Sequence, residues 1–203
     1  MAGKTRLEGE NLKIALEILR DVTFEMEAAS IPYWLEGGTL LGIIRENRLL
    51  PWDNDMDISM YKIDQKKLLR VAIKLILKGY RISIKRYRQD IGPFKKGEFR
   101  MLKIRNFEPF FRKGKVMLDI FIKRKINGEY FWTVGVKSPV LKSSPSKFYD
   151  ELDWTEFNGK KYMITKDFSG YLTYRYGDWK TPVRSWNFKK DDKAIVQEKE
   201  YYF

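Results

Sequence analysis

Apolar residues recur at helical spacing in two segments of the N-terminal half. Between Leu7 and Ala29 they lie three or four positions apart, which predicts an amphipathic helix that ends before Pro32. Gln65 to Lys78 repeats the pattern, and Gly79 suits the left-handed end of such a helix. Both segments therefore predict helices that turn one face to a core.

Alternation of apolar and polar residues predicts the strands. In the stretch after Pro51, methionine and isoleucine alternate with aspartate and serine up to Met60, which predicts a strand with one apolar and one acidic face. Lys115–Ile122 is apolar on both faces except at Asp119, so it is expected in the centre of the sheet. The other predicted strands are Tyr33–Leu35, Tyr80–Tyr87, Phe99–Ile104 and Tyr130–Val136.

Two glycines follow the first of these strands. Gly37-Gly38 predicts a tight turn, and Thr39 is expected to cap a short helix that continues through Ile44. Glycines let a backbone approach an anion closely, and a helix N-terminus favours negative charge. The turn is therefore a candidate phosphate-binding element, although most glycine pairs are only turns.

The C-terminal part has its own turn and helix signals. Asn158-Gly159 stands between two short strand-like segments, Trp154–Phe157 and Lys161–Ile164, and predicts a hairpin. Asp167 is expected to open a final helix that ends at Gly177. The charged segment 186–203 is expected to be a loosely held tail.

Together these elements predict an α/β (α+β) fold: a mixed sheet with helices mainly on one side, followed by a small hairpin-helix extension. Serine and proline concentrate near residues 139–145, which suggests a division into a core at 1–138 and an extension at 139–203. At 203 residues, the two parts are expected to form one compact unit.

Composition restricts the chemistry. The chain contains no cysteine and no histidine, which excludes thiol nucleophiles, imidazole catalysis and cysteine or histidine zinc sites. A bound metal would be a hard cation with oxygen ligands, Mg²⁺ or Mn²⁺. No zinc, haem or organic cofactor is expected.

The net charge of +13 indicates affinity for anions, such as nucleotides, anionic glycans, nucleic acid or an anionic membrane surface. Much of this charge could equally be ordinary solvated surface. No apolar run is long enough to span a bilayer, and the polar N-terminus does not resemble a secretory signal. A cytoplasmic location is expected, with peripheral contact at the cytosolic membrane face as an option.

Asp53, Asp55 and Asp57 stand out against this basic background. If the segment is extended, their carboxylates share one face. Two charges about 5 Å apart repel by roughly 3 kcal/mol at an effective dielectric near 20, so the group needs a cation, a raised pKa or good solvation. A solvated acidic turn is the alternative.

Asp119 is a carboxylate in an otherwise apolar strand, and it needs a partner there. It is either a buried aspartate neutralised by arginine or lysine, or a third carboxylate at the metal site that takes a proton from an attacking hydroxyl. Lys103 and Arg105 on the preceding strand, and Arg45 after the glycine turn, are candidate phosphate ligands. Each in isolation is more typical of an ordinary surface cation.

Two motifs resemble the LicD family. The first runs from Tyr33 to Gly42, continues through Arg45 and ends with Pro51-Trp52-Asp53-Asn54-Asp55-Met56-Asp57-Ile58. The second begins at Phe157-Asn158-Gly159 and continues to Tyr176-Gly177-Asp178-Trp179 and Pro182. Asn54 departs from the pattern, because the family commonly has an acid there.

The resemblance implies a nucleotidyltransferase-like catalytic core at 1–138, a C-terminal extension that completes the LicD-type domain, and a particular chemistry. Phosphocholine or a phosphopolyol would pass from a CDP-activated donor to a sugar hydroxyl, releasing CMP. The acceptor would be a glycan or glycoconjugate, with anionic or lipid-linked forms such as lipopolysaccharide or teichoic acid included.

The resemblance also assigns roles to residues. Asp55 and Asp57 would hold Mg²⁺, Asp53 would complete or support its ligand shell, and Asp119 would be the base. The predicted phosphate-binding residues are Gly37, Gly38, Thr39 and Arg45. Residues that shape the site would be Glu36, Lys103, Arg105, Tyr176, Asp178 and Trp179, although the last three could simply anchor the final helix.

Two other functions stay open. A nucleotidyltransferase would use the same carboxylates and attach a nucleoside monophosphate to a small molecule, protein or RNA. A non-catalytic basic module would bind anions with strong salt dependence. Nucleic acid is not favoured as a partner, because no strand interleaves aromatic and basic residues as single-strand readers do.

Overall fold

The computed structural model describes residues 6–108, 112–135, 138–183 and 190–196. Its helices are α1 (Gly9–Ala28), α2 (Gly37–Glu46), α3 (Leu68–Leu77) and α4 (Phe168–Tyr176). Its strands are β1 (Tyr33–Leu35), β2 (Met56–Tyr61), β3 (Arg81–Arg86), β4 (Phe99–Glu108), β5 (Arg112–Ile126), β6 (Glu129–Val134), β7 (Val140–Pro145), β8 (Leu152–Phe157) and β9 (Lys160–Thr165). No helix in the described ranges is long and apolar enough to cross a membrane.

A mixed sheet forms the centre of the fold, with the strand order β1-β2-β5-β4-β3. β2 and β5 are parallel, whereas the other neighbours along this path are antiparallel. In this register Asp57 lies opposite Asp119, and Asp119 lies opposite Lys103. Directly opposed residues share a face of the sheet, so three charged residues form a row across three strands.

The two faces of this sheet differ in polarity. One face carries apolar residues such as Ile58, Leu118 and Ile120, which belong to the main core. α1 packs over β4 and β5, and α3 packs against α1 and β3. The opposite face carries the row of Asp57, Asp119 and Lys103. The predicted fold class is confirmed, because the sheet is mixed and α1 and α3 pack together beside it.

The C-terminal residues extend this core. Asn158 and Gly159 both have positive φ, as the predicted hairpin between β8 and β9 requires. Asp167 caps α4, since its carboxylate accepts a hydrogen bond of 2.9 Å from the N–H of Gly170.

The division of the chain between residues 138 and 139 stays a prediction. β7, which lies just beyond this point, pairs with β6, which lies before it.

Two local predictions were wrong, and one strand was missed. α2 begins at Gly37 rather than after Thr39, because Glu36 is the N-cap and the Thr39 hydroxyl accepts instead from the N–H of Asp57, at 2.8 Å. β2 begins at Met56, so Asp53 and Asp55 lie in the turn before the strand and do not alternate on its face. β7 was not predicted.

The predicted tail, 186–203, falls partly outside the described residues. Its described portion, 190–196, packs on the fold, because Ser143 on β7 donates a backbone hydrogen bond of 2.8 Å to Ala194. Asp192 is buried. A loosely held tail is therefore the wrong description of this portion.

Candidate active site

A cavity of about 740 Å³ opens on the polar face of the sheet. Its floor is the row of Asp57, Asp119 and Lys103, and its walls come from α2, the turn before β2, and the end of α4. Further lining residues include Glu36, Gly37, Gly38, Arg45, Trp52, Asp53, Asp55, Arg105, Lys115, Trp132, Lys142, Tyr176, Asp178 and Trp179. Most of the predicted site residues therefore meet in one place.

Asp55, Asp57 and Asp119, the acidic cluster, each direct a carboxylate oxygen to one point of this cavity. The three oxygens lie within 4.8 Å of one another. Parallel pairing of β2 with β5 brings Asp119 beside Asp57 although they are far apart in sequence. The turn before β2 adds Asp55 from outside the sheet.

The cluster is poorly neutralised by the chain. Burial, reinforced by repulsion from Asp119 and Asp53, raises the pKa of Asp55 to about 7. Burial, with repulsion from Asp55 and Asp119, also raises the pKa of Asp57 well above its ordinary value. The pKa of Asp119 is raised by burial despite the opposing effect of Lys103. A cation would relieve this repulsion.

Asp119 has two differently satisfied oxygens. Its Oδ2 is paired with the ammonium group of Lys103. Its Oδ1 is buried and accepts no hydrogen bond from the described residues. Both readings of this residue therefore have support: it is a buried aspartate paired with lysine, and it retains an unsatisfied oxygen in the cluster.

Asp53 stands beside the acidic cluster, over the start of α2. A Cβ atom at Gly38 would collide with the Asp53 carboxylate, and one at Gly37 would lie 3.2 Å from Asp57 Oδ2. The two glycines thus allow two carboxylates to approach the helix N-terminus. Burial raises the pKa of Asp53 to about 6. Thr39 is buried behind them, bonded to the backbone of Asp57.

The predicted cations lie at the cavity with partners of their own. Arg45 Nη1 donates to the carbonyl oxygen of Trp179 at 3.1 Å, and its Nε donates to Glu46 at 3.0 Å. Arg105 Nη1 donates to the carbonyl oxygens of Gly114 and Lys115, at 3.3 and 3.2 Å. Arg45 therefore joins α2 to the segment after α4.

The end of α4 forms one wall. Tyr176 places its hydroxyl close to Gly37, since a Cβ there would lie 3.8 Å from it. Asp178 accepts a hydrogen bond of 2.7 Å from Thr181, and Trp179 is buried. All three residues line the cavity, and Trp179 also fixes Arg45.

Glu36 belongs to a second charged group, which we call the buried charge network and which consists of Glu36, Lys123, Lys142, Arg175 and Asp192. Glu36 lies 2.6 Å from Lys123 Nζ and 2.9 Å from Arg175 Nη1. Ser59 donates to it at 2.9 Å. Burial would raise the pKa of Glu36, but Lys123 and Arg175 outweigh it and hold that pKa below its usual value.

Asp192 closes this network from the C-terminal segment. It accepts from Arg175 Nε at 2.7 Å and from Arg175 Nη2 at 2.6 Å, and it is paired with Lys142. Burial opposes its charge, yet the two cations keep its pKa below the usual range. The Arg175 guanidinium therefore ties α4 to the start of α2 and to the C-terminal segment behind the cavity.

Sequence reasoning missed most of this network. Lys123 gave a usable signal, because it lies on β5 four residues after Asp119 and therefore on the same face of the sheet. Lys142 and Asp192 gave none, since β7 and the C-terminal segment were not expected to pack here. Trp132 was also missed at the cavity wall.

The acidic cluster fits a magnesium site by composition and by electrostatics. It offers oxygen ligands alone, which Mg²⁺ and Mn²⁺ prefer. The unsatisfied Asp119 Oδ1 and the raised pKa values of Asp55 and Asp57 indicate a group whose negative charge Lys103 neutralises only in part.

The mixed sheet, the glycines at the start of α2 and the acids just before and on β2 are the features of a nucleotidyltransferase-type domain, and the comparison of families agrees. A family model described as "LicD/FKTN/FKRP, nucleotidyltransferase domain" matches residues 30–167. The chain therefore belongs to the LicD family.

Named relatives agree with this membership. Ribitol-5-phosphate transferase FKTN of Macaca fascicularis and that of Homo sapiens are each 27% identical over 180 residues. These matches cover 88% of this chain and 36% of each relative, so the chain spans about a third of their length. Lipopolysaccharide cholinephosphotransferase LicD of Haemophilus influenzae is 28% identical over 116 residues, which cover 56% of this chain and 43% of that protein.

A solved structure of ANT(2″)-Ia in complex with adenylyl-2″-tobramycin is also similar to this chain. The sequence identity is 14% and the TM-score is 0.47. The alignment covers 86% of this chain and 82% of that one.

Proposed function

We propose that the chain catalyses metal-dependent transfer of a phosphorylated alcohol, phosphocholine or a phosphopolyol, from a CDP-activated donor to a sugar hydroxyl of a glycan or glycoconjugate. The observation that carries the proposal is the acidic cluster, whose three carboxylates converge within 4.8 Å at a cavity also lined by cations. Family membership supports it, because the named relatives transfer ribitol 5-phosphate or phosphocholine.

In this proposal Asp55 and Asp57 hold Mg²⁺ or Mn²⁺, and one carboxylate oxygen of Asp119 lies within 4.8 Å of theirs. The metal, when bound, neutralises charge on the donor diphosphate. Arg45, Arg105 and Lys115 line the cavity and complement the remaining negative charge. Trp52, about half exposed at the rim, offers an aromatic face to the donor or acceptor.

The transfer step needs one bond formed and one broken. The acceptor hydroxyl oxygen attacks the phosphorus that carries the alcohol, and the bond from that phosphorus to the bridging oxygen breaks. CMP leaves with the bonding electron pair, and Asp119 takes the hydroxyl proton. Lys103, paired with the other oxygen of Asp119, orients this carboxylate.

The test is a screen for release of CMP from CDP-choline, CDP-ribitol and CDP-glycerol, each with a panel of glycan acceptors and with Mg²⁺, Mn²⁺ or EDTA. We expect CMP from one donor class only when metal and acceptor are present. Asp57→Asn should lower the rate on the order of 10²-fold or more, by analogy with loss of one electrostatic group. Glu156→Gln, exposed on β8, is the matched control.

Two results would contradict the proposal. The first is release of pyrophosphate from CTP or ATP with no release of CMP from any CDP-linked donor, which would indicate nucleotidyl transfer. The second is a rate for Asp57→Asn close to that of the unmodified chain.

A further inference from the structure

Helix α3 has two apolar faces, and only one of them packs on the core. Leu68, Val71, Ala72 and Leu75 are buried. The remaining apolar residues of the helix point to solvent, with 59%, 52%, 55% and 82% of their surfaces exposed. These residues, which we call the apolar stripe, are Leu69, Ile73, Ile76 and Leu77.

The stripe is continuous on one side of the helix. Its members are spaced by four, three and one residues, which at 3.6 residues per turn places them on one flank beside the buried face. Most surface helices have a polar face there. A contiguous exposed apolar surface of this kind marks an interaction site.

The charged residues of the segment that carries the stripe are all basic. From Gln65 to Arg81 there are six cations and no acidic residue. Lys74 and Lys78 pair with Glu25 on α1, at 3.3 and 3.0 Å. Lys67 pairs with Asp64 at 2.7 Å. Lys66, Arg70 and Arg81 are exposed and have no ion pair among the described residues.

The geometry points to an anionic lipid bilayer as the surface that α3 binds. The apolar stripe would lie at the boundary between headgroups and acyl chains, and Lys66, Arg70 and Arg81 would contact lipid phosphates. A second copy of this chain fits less well, because it would bring like-charged flanks together on a chain of net charge +13. The inference rests on α3 and does not depend on the proposed transferase activity.

Vesicle co-sedimentation at near-physiological salt tests this surface. The unmodified chain should bind vesicles of phosphatidylglycerol mixed with phosphatidylcholine and bind phosphatidylcholine vesicles at least about tenfold more weakly. Ile73→Ser combined with Leu77→Ser should weaken binding to the mixed vesicles by about tenfold or more. All substituted positions are exposed, and an unchanged melting temperature would verify the fold.

Two double variants with the same change in net charge distinguish binding through this surface from general adsorption of a basic protein to anionic vesicles. The first double variant, Lys66→Glu with Arg70→Glu, lies beside the stripe. The second, Arg88→Glu with Lys161→Glu, lies elsewhere and changes the net charge by the same amount. All four residues are exposed. We expect about tenfold weaker binding for the first pair and at most about twofold for the second. Equal losses in the two pairs would overturn the proposal.

The absence of cysteine allows a direct measurement of insertion. Leu77→Cys, labelled with a solvent-sensitive dye, should shift its emission to the blue on mixed vesicles. Trp154→Cys on β8, about half exposed, is the control and should not shift. A bound protein whose label at position 77 stays in water would contradict the inference.

Two further outcomes would also overturn it. One is absence of vesicle binding by the unmodified chain. The other is a dimer of the unmodified chain that Ile73→Ser with Leu77→Ser converts to a monomer, since a second copy would then cover the stripe. Asp57→Asn should bind vesicles as the unmodified chain does, which keeps this test separate from that of the catalytic proposal.

Discussion

The acidic cluster lies at the cavity and the buried charge network lies directly behind it, and both contain carboxylates that are buried or half-buried. In the network, Glu36 and Asp192 share Arg175, and each has a lysine as well. Their pKa values are therefore held below the usual range. In the cluster, Lys103 is in direct contact with Asp119 alone, and the pKa values of all three carboxylates are raised.

Burial opposes the charge of every one of these carboxylates, so burial does not explain the difference. What differs is whether the chain supplies the counterions. In the network the chain supplies them, and the carboxylates join segments that are distant in sequence, which is a structural role. In the cluster the chain supplies too few, so repulsion among the carboxylates lowers the stability of the ligand-free fold. Such repulsion is typical of a site that binds a cation.

The largest expected effect on the stability of the fold comes from removing the guanidinium group of Arg175, which both carboxylates of the network share. Arg175→Met leaves Glu36 and Asp192 buried with fewer partners, so the free energy of unfolding should fall by about 3–5 kcal/mol. Urea unfolding followed by circular dichroism measures it. Arg88→Met, at an exposed position, should change stability by less than about 0.5 kcal/mol. Similar stability of the two variants would show that the network does not hold the fold together.

Neutralising one carboxylate in each group should change stability in opposite directions. Without metal, Asp57→Asn removes repulsion with Asp55 and Asp119, so the free energy of unfolding should rise by about 1 kcal/mol. Glu36→Gln should lower it by about 3 kcal/mol, because Lys123 and Arg175 lose a buried partner. Urea unfolding in EDTA gives both values.

Addition of Mn²⁺ should reverse the order of stability of Asp57→Asn and the unmodified chain. A metal that binds only the folded chain stabilises it by about 2.7 kcal/mol at 100 times its Kd, and Asp57→Asn should lose this gain. Glu156→Gln, far from both groups, should keep it. If Asp57→Asn destabilised the metal-free chain, the cluster would be structural, like the network.

The sequence predicted the parts of the site better than their assembly. Asp55 and Asp57 stood out because aspartates next to apolar strand residues are conspicuous in a basic chain. The partner Asp119 could be suspected from its apolar strand, but its place opposite Asp57 depends on the parallel register of β2 with β5, a long-range pairing that local pattern does not encode. Arg175 and Asp192 meet only because the C-terminal segment packs back against α4.

A small effect is also expected at Lys103, the one cation that the chain places in direct contact with the acidic cluster among the described residues. Lys103→Met removes a positive charge beside Asp119, so Mn²⁺ should bind about three- to tenfold more tightly, an effect of about 0.7–1.4 kcal/mol. Titration of free Mn²⁺ by electron paramagnetic resonance measures it. Lys115→Met, at the same cavity but paired with Glu108 at 3.8 Å, should change the affinity less than about twofold. Weaker binding of Mn²⁺ by Lys103→Met would mean that Lys103 orients Asp119 for the metal instead of competing with it. Lys103 would then be part of the metal site, and the cluster would not differ from the network in lacking supplied cations.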